Sequence, residues 1–257
     1  LDISTDPKTG QRILTLDING EITFEQLVFG KMILFNSVYR HQKVRVCDCL
    51  LKGIFEYIDK SKGAVRLGNV SVTSPADFLR LTDDMLSEYG ASFNNSHPEL
   101  HALMHGLAYR RLPKRALVIS NSFLKKADPK GLAEFLELRR NHIPHRKTMR
   151  KLAHQIWDRA KKPCPEYLVW LDMPKAPAFK EGDETTIREP DGHLLPLNEF
   201  FNVDQWAEHF DQHKWRGHVF APDDAVEIIS KAAREILKEE YSIEFMPIAW
   251  QICHVNS

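Results

Sequence analysis

The stretch Thr23–Lys60, TFEQLVFGKMILFNSVYRHQKVRVCDCLLKGIFEYIDK, decides how the chain is read. Apolar residues recur at three-and-four spacing (Leu27, Val28, Phe35, Val38, Val46, Leu50, Leu51, Ile54, Phe55, Ile58), which is the period of a helix with one face in a core. Thr23 and Gln26 fit a capping box, and no proline follows. The spacing therefore predicts one uninterrupted helix, 23–60. Lys31, Phe35 and Tyr39 fall on an i, i+4, i+8 row, so Lys31 and Tyr39 stand about 12 Å apart along one side at a rise of ~1.5 Å per residue. That pairing suits a cation for phosphates and an aromatic for a sugar or base. From spacing alone, the favoured reading is a solvated lysine and a half-buried tyrosine.

Working outward, residues 1–22 read as a small hairpin: Arg12–Ile18 alternates and Asn19-Gly20 is a two-residue turn signal. Gly68-Asn69 marks a second hairpin, and Glu189-Pro190-Asp191-Gly192 a third. Ser74-Pro75 and Thr82-Asp83 open short helices, and helix 97–111 leads to strand 116–120. Residues 129–162 are expected to be helical. Between Arg139 and Lys162 stand nine Lys or Arg against one acid, Asp158. Such a run is either a solvated face balanced by acids elsewhere or a track for phosphate or single-stranded nucleic acid. Beyond it, Glu166–Met173 reads as a strand, Lys180–Glu184 as a polar loop, Gln205–His213 as a helix, Trp215–Phe220 as a strand, and Pro222–Tyr241 as an amphipathic helix. The fold class is mostly α, of the α+β kind, with expected domains 1–128 and 129–257.

The totals exclude several function classes. At 257 residues the chain buries a real core, and 35 basic against 35 acidic side chains leave no global attraction to nucleic acid. No apolar run approaches a membrane span of ~18 residues. Cys47, Cys49, Cys164 and Cys253 are few and scattered, as in a reducing cytoplasm. There is no phosphate-cradling glycine loop, no nucleophile elbow and no CxxC pair. The opening at Leu1 is read as that of a piece of a longer polypeptide.

Two stretches carry a family resemblance. The run Gly30–His41, GKMILFNSVYRH, resembles the R-Y-x-M-Y-x-x-V-Y-x-H helix of HD-domain phosphohydrolases, the group of dNTP triphosphohydrolases that includes the mammalian sterile-alpha-motif/HD-domain enzyme and bacterial dGTPase-like proteins. Tyr109–Arg115, YRRLPKR, resembles that family's Y-R-x-L-x-K-R signature. The resemblance implies a long central helix from an all-α HD-type core followed by an α+β lobe with small antiparallel hairpins. It implies Lys31, Tyr39 and His41 as substrate contacts, with Lys where the family usually has Arg, so the charge is kept without the bidentate fork. It implies Arg110 and Lys114 at a regulatory nucleotide or a subunit interface. A divalent metal (Mn, Mg, Fe, Ni or Zn), a nucleotide substrate and a homo-oligomer are implied as well. The family's metal ligands are an H…HD…D series placed before the opening helix. None of the twelve histidines here is followed by aspartate, so this chain is expected to lack them. The alternative is a non-enzymatic module that contacts nucleic acid or a partner through the basic 139–162 segment.

Overall fold

A computed structural model describes residues 1–6, 9–63, 65–68, 70–90, 96–175, 185–200 and 203–254. In chain order its elements are β1 (Asp2–Thr5), β2 (Arg12–Asp17), α1 (Glu21–Leu34), α2 (Gln42–Lys60), β3 (Arg66–Leu67), β4 (Val70–Ser71), α3 (Asp83–Gly90), α4 (Pro98–Ala108), β5 (Lys114–Ile119), β6 (Leu124–Ala127), α5 (Pro129–Glu137), α6 (Ile143–Arg159), β7 (Trp170–Asp172), β8 (Thr186–Arg188), β9 (Leu194–Pro196), α7 (Val203–Lys214), β10 (Gly217–Ala221), α8 (Val226–Tyr241), β11 (Ile243–Phe245) and α9 (Ile248–His254). The fold is mostly helical α+β, as expected. No helix of the described residues is long and apolar enough to cross a membrane.

The expected single helix is three pieces. α1 starts two residues before Thr23, after Asp17 caps a short 3-10 turn by accepting the Asn19 N–H at 3.0 Å. Thr23 and Gln26 are therefore interior residues, not a capping box, and Asn19-Gly20 leads into a helix rather than a hairpin. From Phe35 to Tyr39 the chain forms a π turn, closed by the Arg40 N–H on the Phe35 carbonyl at 2.9 Å. Asn36, Ser37, Val38 and Tyr39 are indifferent helix formers in succession, which is where a wider turn is cheapest. His41 then goes extended, with φ −61° and ψ 137°, and its ring Nδ1 accepts the Lys43 N–H at 3.3 Å. It is the N-cap of α2.

Two compact units result. The first comprises Leu1–Arg40 with Lys175–Trp215, and the second His41–Pro174 with Arg216–Ser257. This division differs from the 1–128 and 129–257 halves: position 128 falls inside the second unit, because β5 pairs with β10 across the sequence. In the first unit the strand order is β1-β2-β8-β9, with β2 and β8 parallel and the other pairs antiparallel. Leu16 and Ile187 from this sheet pack with Val28 and Met32 of α1 and with Leu197. The hairpin at Glu189–Gly192 is present, with Gly192 at φ 91°. In the second unit the sheet order is β5-β10-β7. Val46 and Cys49 of α2 pack on Trp170 and Phe220 from that sheet. Leu50, Ile54 and Ile58 lie in a core with Leu100, Leu103 and Met104 of α4. β3 and β4 pair antiparallel about Gly68, with Asn69 outside the described residues, as is the Lys180–Glu184 loop. The expected 129–162 helix divides into α5 and α6 at Asn141, whose φ of 55° is left-handed. Glu166–Leu168 is a 3-10 turn, so β7 is shorter than the expected strand.

Two glycines give opposite expectations. A Cβ at Gly131 would collide with the backbone carbonyl of Tyr241, whereas one at Gly30 meets nothing within 4 Å. Gly131→Ala should lower stability by about 1–3 kcal/mol through overpacking. Gly30→Ala should raise it by about 0.5–1 kcal/mol, as expected inside a helix. Denaturant melts of the two variants check both signs.

Candidate anion-binding site

The second unit brings three cations around one small pocket. Gln42, Lys43 and Val46 from the first turns of α2, Pro113, Lys114 and Arg115 from the entry to β5, Phe220 and Cys253 line a half-open cavity of about 40 Å³. No carboxylate is among these lining residues. The N-terminus of a 19-residue helix adds the positive end of its dipole, although the His41 ring already takes the Lys43 N–H. Lys114 reaches Asp223 at 2.9 Å, a pair open enough to water to contribute little. Arg115 has no carboxylate partner among the described residues. Its Nη2 donates to the Ile252 carbonyl at 3.4 Å, and burial lowers its pKa below the ordinary arginine value. Burial also pushes the Cys253 thiol up to about 11, so it stands as a packing residue rather than a nucleophile. The arrangement can hold a multiply charged oxyanion, and it offers no general base.

A buried ion pair sets where α2 sits. Arg45 grips Asp172 of β7 in a fork, Nε to Oδ2 at 2.8 Å and Nη2 to Oδ1 at 2.7 Å, and its Nη1 donates to Asp48 at 2.8 Å. Asp172 is only 4% exposed, and Lys52 approaches it at 3.9 Å. The paired carboxylates hold the Arg45 pKa above its usual value, against the cost of burial. Next to Asp172 across the ladder is His218, fully buried, with neither ring nitrogen hydrogen-bonded. Desolvation pushes its pKa down to about 3; Asp172 opposes that shift, while Arg115, Arg45 and Arg216 reinforce it. Its ring lies 5.3 Å from that of Phe220, so His218 acts as a neutral packing residue beside that ring.

The predicted site residues are placed as follows. Lys31 and Tyr39 belong to the first unit; Tyr39 is 58% exposed and its ring lies 5.1 Å from Phe35. His41 belongs to the second unit, where its imidazole is the α2 cap. Arg110 is exposed at the end of α4 in a left-handed conformation, φ 54°, and does not line the pocket, whereas Lys114 does. Lys43 was missed, because nothing in a linear reading says that a helix starts at 42. The basic 139–162 segment spends much of its charge locally. Arg150 stacks on Trp170 at 4.2 Å and faces Glu56 at 3.5 Å, Arg159 forks onto Glu239 at 2.8 Å, Arg140 pairs with Glu137, and Lys162 with Asp158. The His209 and His213 rings meet edge to face at 4.5 Å, but among the described residues no three His, Cys, Asp or Glu side chains form a metal-binding group.

Residues 8–242 match the family described as the HD associated region. The chain belongs to this family. Two solved structures resemble this HD-associated chain at low identity. A phosphohydrolase from Bacteroides thetaiotaomicron VPI-5482 is 15% identical, with 83% of this chain and 52% of that one covered at a TM-score of 0.49. A hypothetical protein from Aquifex aeolicus is 14% identical, with 92% and 49% covered at 0.48. The chain spans about half the length of each, and neither likeness carries an argument about chemistry. No curated protein matches it.

Two outcomes are expected. Replacing Arg45 by Met strands a buried carboxylate at Asp172 and should cost about 3–5 kcal/mol, read from urea unfolding. Because His218 is held neutral, the unfolded chain takes up a proton below its ordinary pKa of 6.5 that the folded chain refuses until about pH 3. Its contribution is therefore lost as pH falls through that window, by at most about 1.4 kcal/mol per pH unit. The stability difference between wild type and His218→Leu, compared at pH 7 and pH 4.5, should shift toward the variant at the lower pH.

Proposed function

We propose that this chain is the HD-associated part of a metal-dependent HD-family phosphohydrolase that acts on (deoxy)nucleoside triphosphates, and that the pocket at the α2 N-terminus holds the phosphates of a regulatory nucleotide. The observation that carries the second statement is the convergence of Lys43, Lys114 and Arg115 with a helix N-terminus, free of lining carboxylates. A triphosphate has the charge and the acceptor oxygens for such donors, and charge-assisted bonds contribute most when partly desolvated. Lys31 and Tyr39 supply the substrate side, as cation and aromatic on one early segment.

Among the described residues no group of three His, Cys, Asp or Glu side chains could hold the metal, and no histidine in the sequence precedes an aspartate. The activating divalent ion belongs to the HD domain, which would hold it through its own ligands, and the residues here bind and orient anions.

The test has two arms. Inorganic tripolyphosphate and dGTP, titrated into this chain by calorimetry, should bind with a salt-dependent affinity. Lys114→Ala and Lys43→Ala should each weaken that affinity about tenfold, the equivalent of ~1.4 kcal/mol, while the melting temperature stays unchanged. Absence of binding at low salt removes the pocket. Separately, the HD-domain protein that carries this region should release triphosphate or phosphate from a dNTP with Mn²⁺ or Mg²⁺, and failure on every nucleotide removes the activity.

A further inference from the structure

Of the cations around the pocket, Arg115 is the least settled. It is half-buried, yet its one hydrogen bond among the described residues is the Nη2 contact with the Ile252 carbonyl, long at 3.4 Å. Lys114 has Asp223, and Arg45 has two carboxylates. Arg115 has only a neutral oxygen, which offsets little of the cost of desolvating a guanidinium, and Arg216 repels it.

The acceptor has a place of its own in the fold. Ile252 belongs to the last turn of α9, which ends at His254 and so offers its carbonyl no N–H four residues on. That carbonyl stands at the negative end of the helix, where a cation is favoured. α9 packs along β5 with Ala249 fully buried, and the Arg234 guanidinium of α8 lies over Trp250 at 3.8 Å. Cys253, the next residue, lines the pocket itself. The pocket thus stands between two helix ends of opposite sign. The N-terminus of α2 attracts an oxyanion, and the C-terminus of α9 repels one.

We propose that α9 is a tethered competitor for the anion: an oxyanion entering the pocket draws Arg115 off the Ile252 carbonyl, and the end of α9 loosens. This rests on the reading above, that the pocket holds phosphates. Two effects drive the swap. A guanidinium bonds a charged oxygen more strongly than a neutral carbonyl, and a side-on fork, of the kind that Arg45 makes on Asp172, runs through Nη2, the nitrogen that Ile252 now holds. The anion also arrives beside the last turn of α9, where its charge meets the negative end of the dipole. Linkage is reciprocal, so whatever loosens α9 strengthens anion binding.

Amide hydrogen exchange of the 257-residue chain, with and without inorganic tripolyphosphate at low salt, tests this. With tripolyphosphate bound, the amides of 251–253 should exchange about fivefold faster, the worth of one such bond, while those of α8 keep their rates. Arg115→Met should show the faster rate without ligand and no further change with it. Trp250→Ala lies outside the pocket lining and removes the Arg234 contact. It should tighten tripolyphosphate binding about fivefold in calorimetry, whereas a merely structural role would weaken binding or leave it alone. Unchanged or slower exchange at 251–253 in the bound chain overturns the inference and leaves the pocket standing; the slower case means that Arg115 bridges carbonyl and anion. A folded Trp250→Ala chain that binds no tighter overturns it as well. No binding of tripolyphosphate at all removes the pocket and the inference together.

Discussion

The fork between Arg45 and Asp172 is the constraint on which the second unit depends. Burying a carboxylate on a central sheet is costly unless a cation meets it with matched geometry, and a guanidinium on the first turn of α2 does so. That fixes the helix along the sheet face where Trp170 and Phe220 wait, and it fixes the axial position of the helix N-terminus. Hydrophobic contacts alone would tolerate a slide of the helix, because Val46 and Cys49 are small and the surface beneath them is apolar. The ion pair does not tolerate it. The pocket lined by Lys43, Lys114 and Arg115 exists at the end of α2 because the helix is held there.

The second consequence concerns the break at Tyr39–His41. A continuous rod would have had no helix N-terminus at residue 42. The π turn and the extended His41 end one helix and begin another, so the positive end of the α2 dipole comes to lie beside the cations of β5. A resemblance that assigns His41 to substrate thus coexists with a local role that needs no substrate: its ring accepts the Lys43 N–H and starts the helix.

Much of the fold was legible in the sequence. The amphipathic stripe of Leu50, Ile54 and Ile58, the strand at 116–119, the Gly192 turn and the helix 226–241 all follow from periodicity and turn chemistry, and the structure has them. The failures have two causes, local caps that a periodicity reading passes over and strand pairings made far along the chain. Thr23 looks like a cap only until Asp17 caps a turn upstream, and Asn19-Gly20 looks like a hairpin until β2 pairs with β8, some 170 residues later. The candidate site was half legible. Lys114 and Arg115 stand in a recognisable motif, but their partner Lys43 lies about 70 residues away on a helix start that only the tertiary fold defines. His218 was invisible, since a histidine in a short strand gives no sign that burial will keep it neutral.

The account stands most directly on where an oxyanion settles. Crystals of the chain soaked in tungstate, a tetrahedral dianion with a strong anomalous signal, should show a peak at the α2 N-terminus within bonding distance of the Lys43, Lys114 and Arg115 side chains. An empty pocket, with the anion seated instead along the basic face of α6, would contradict it.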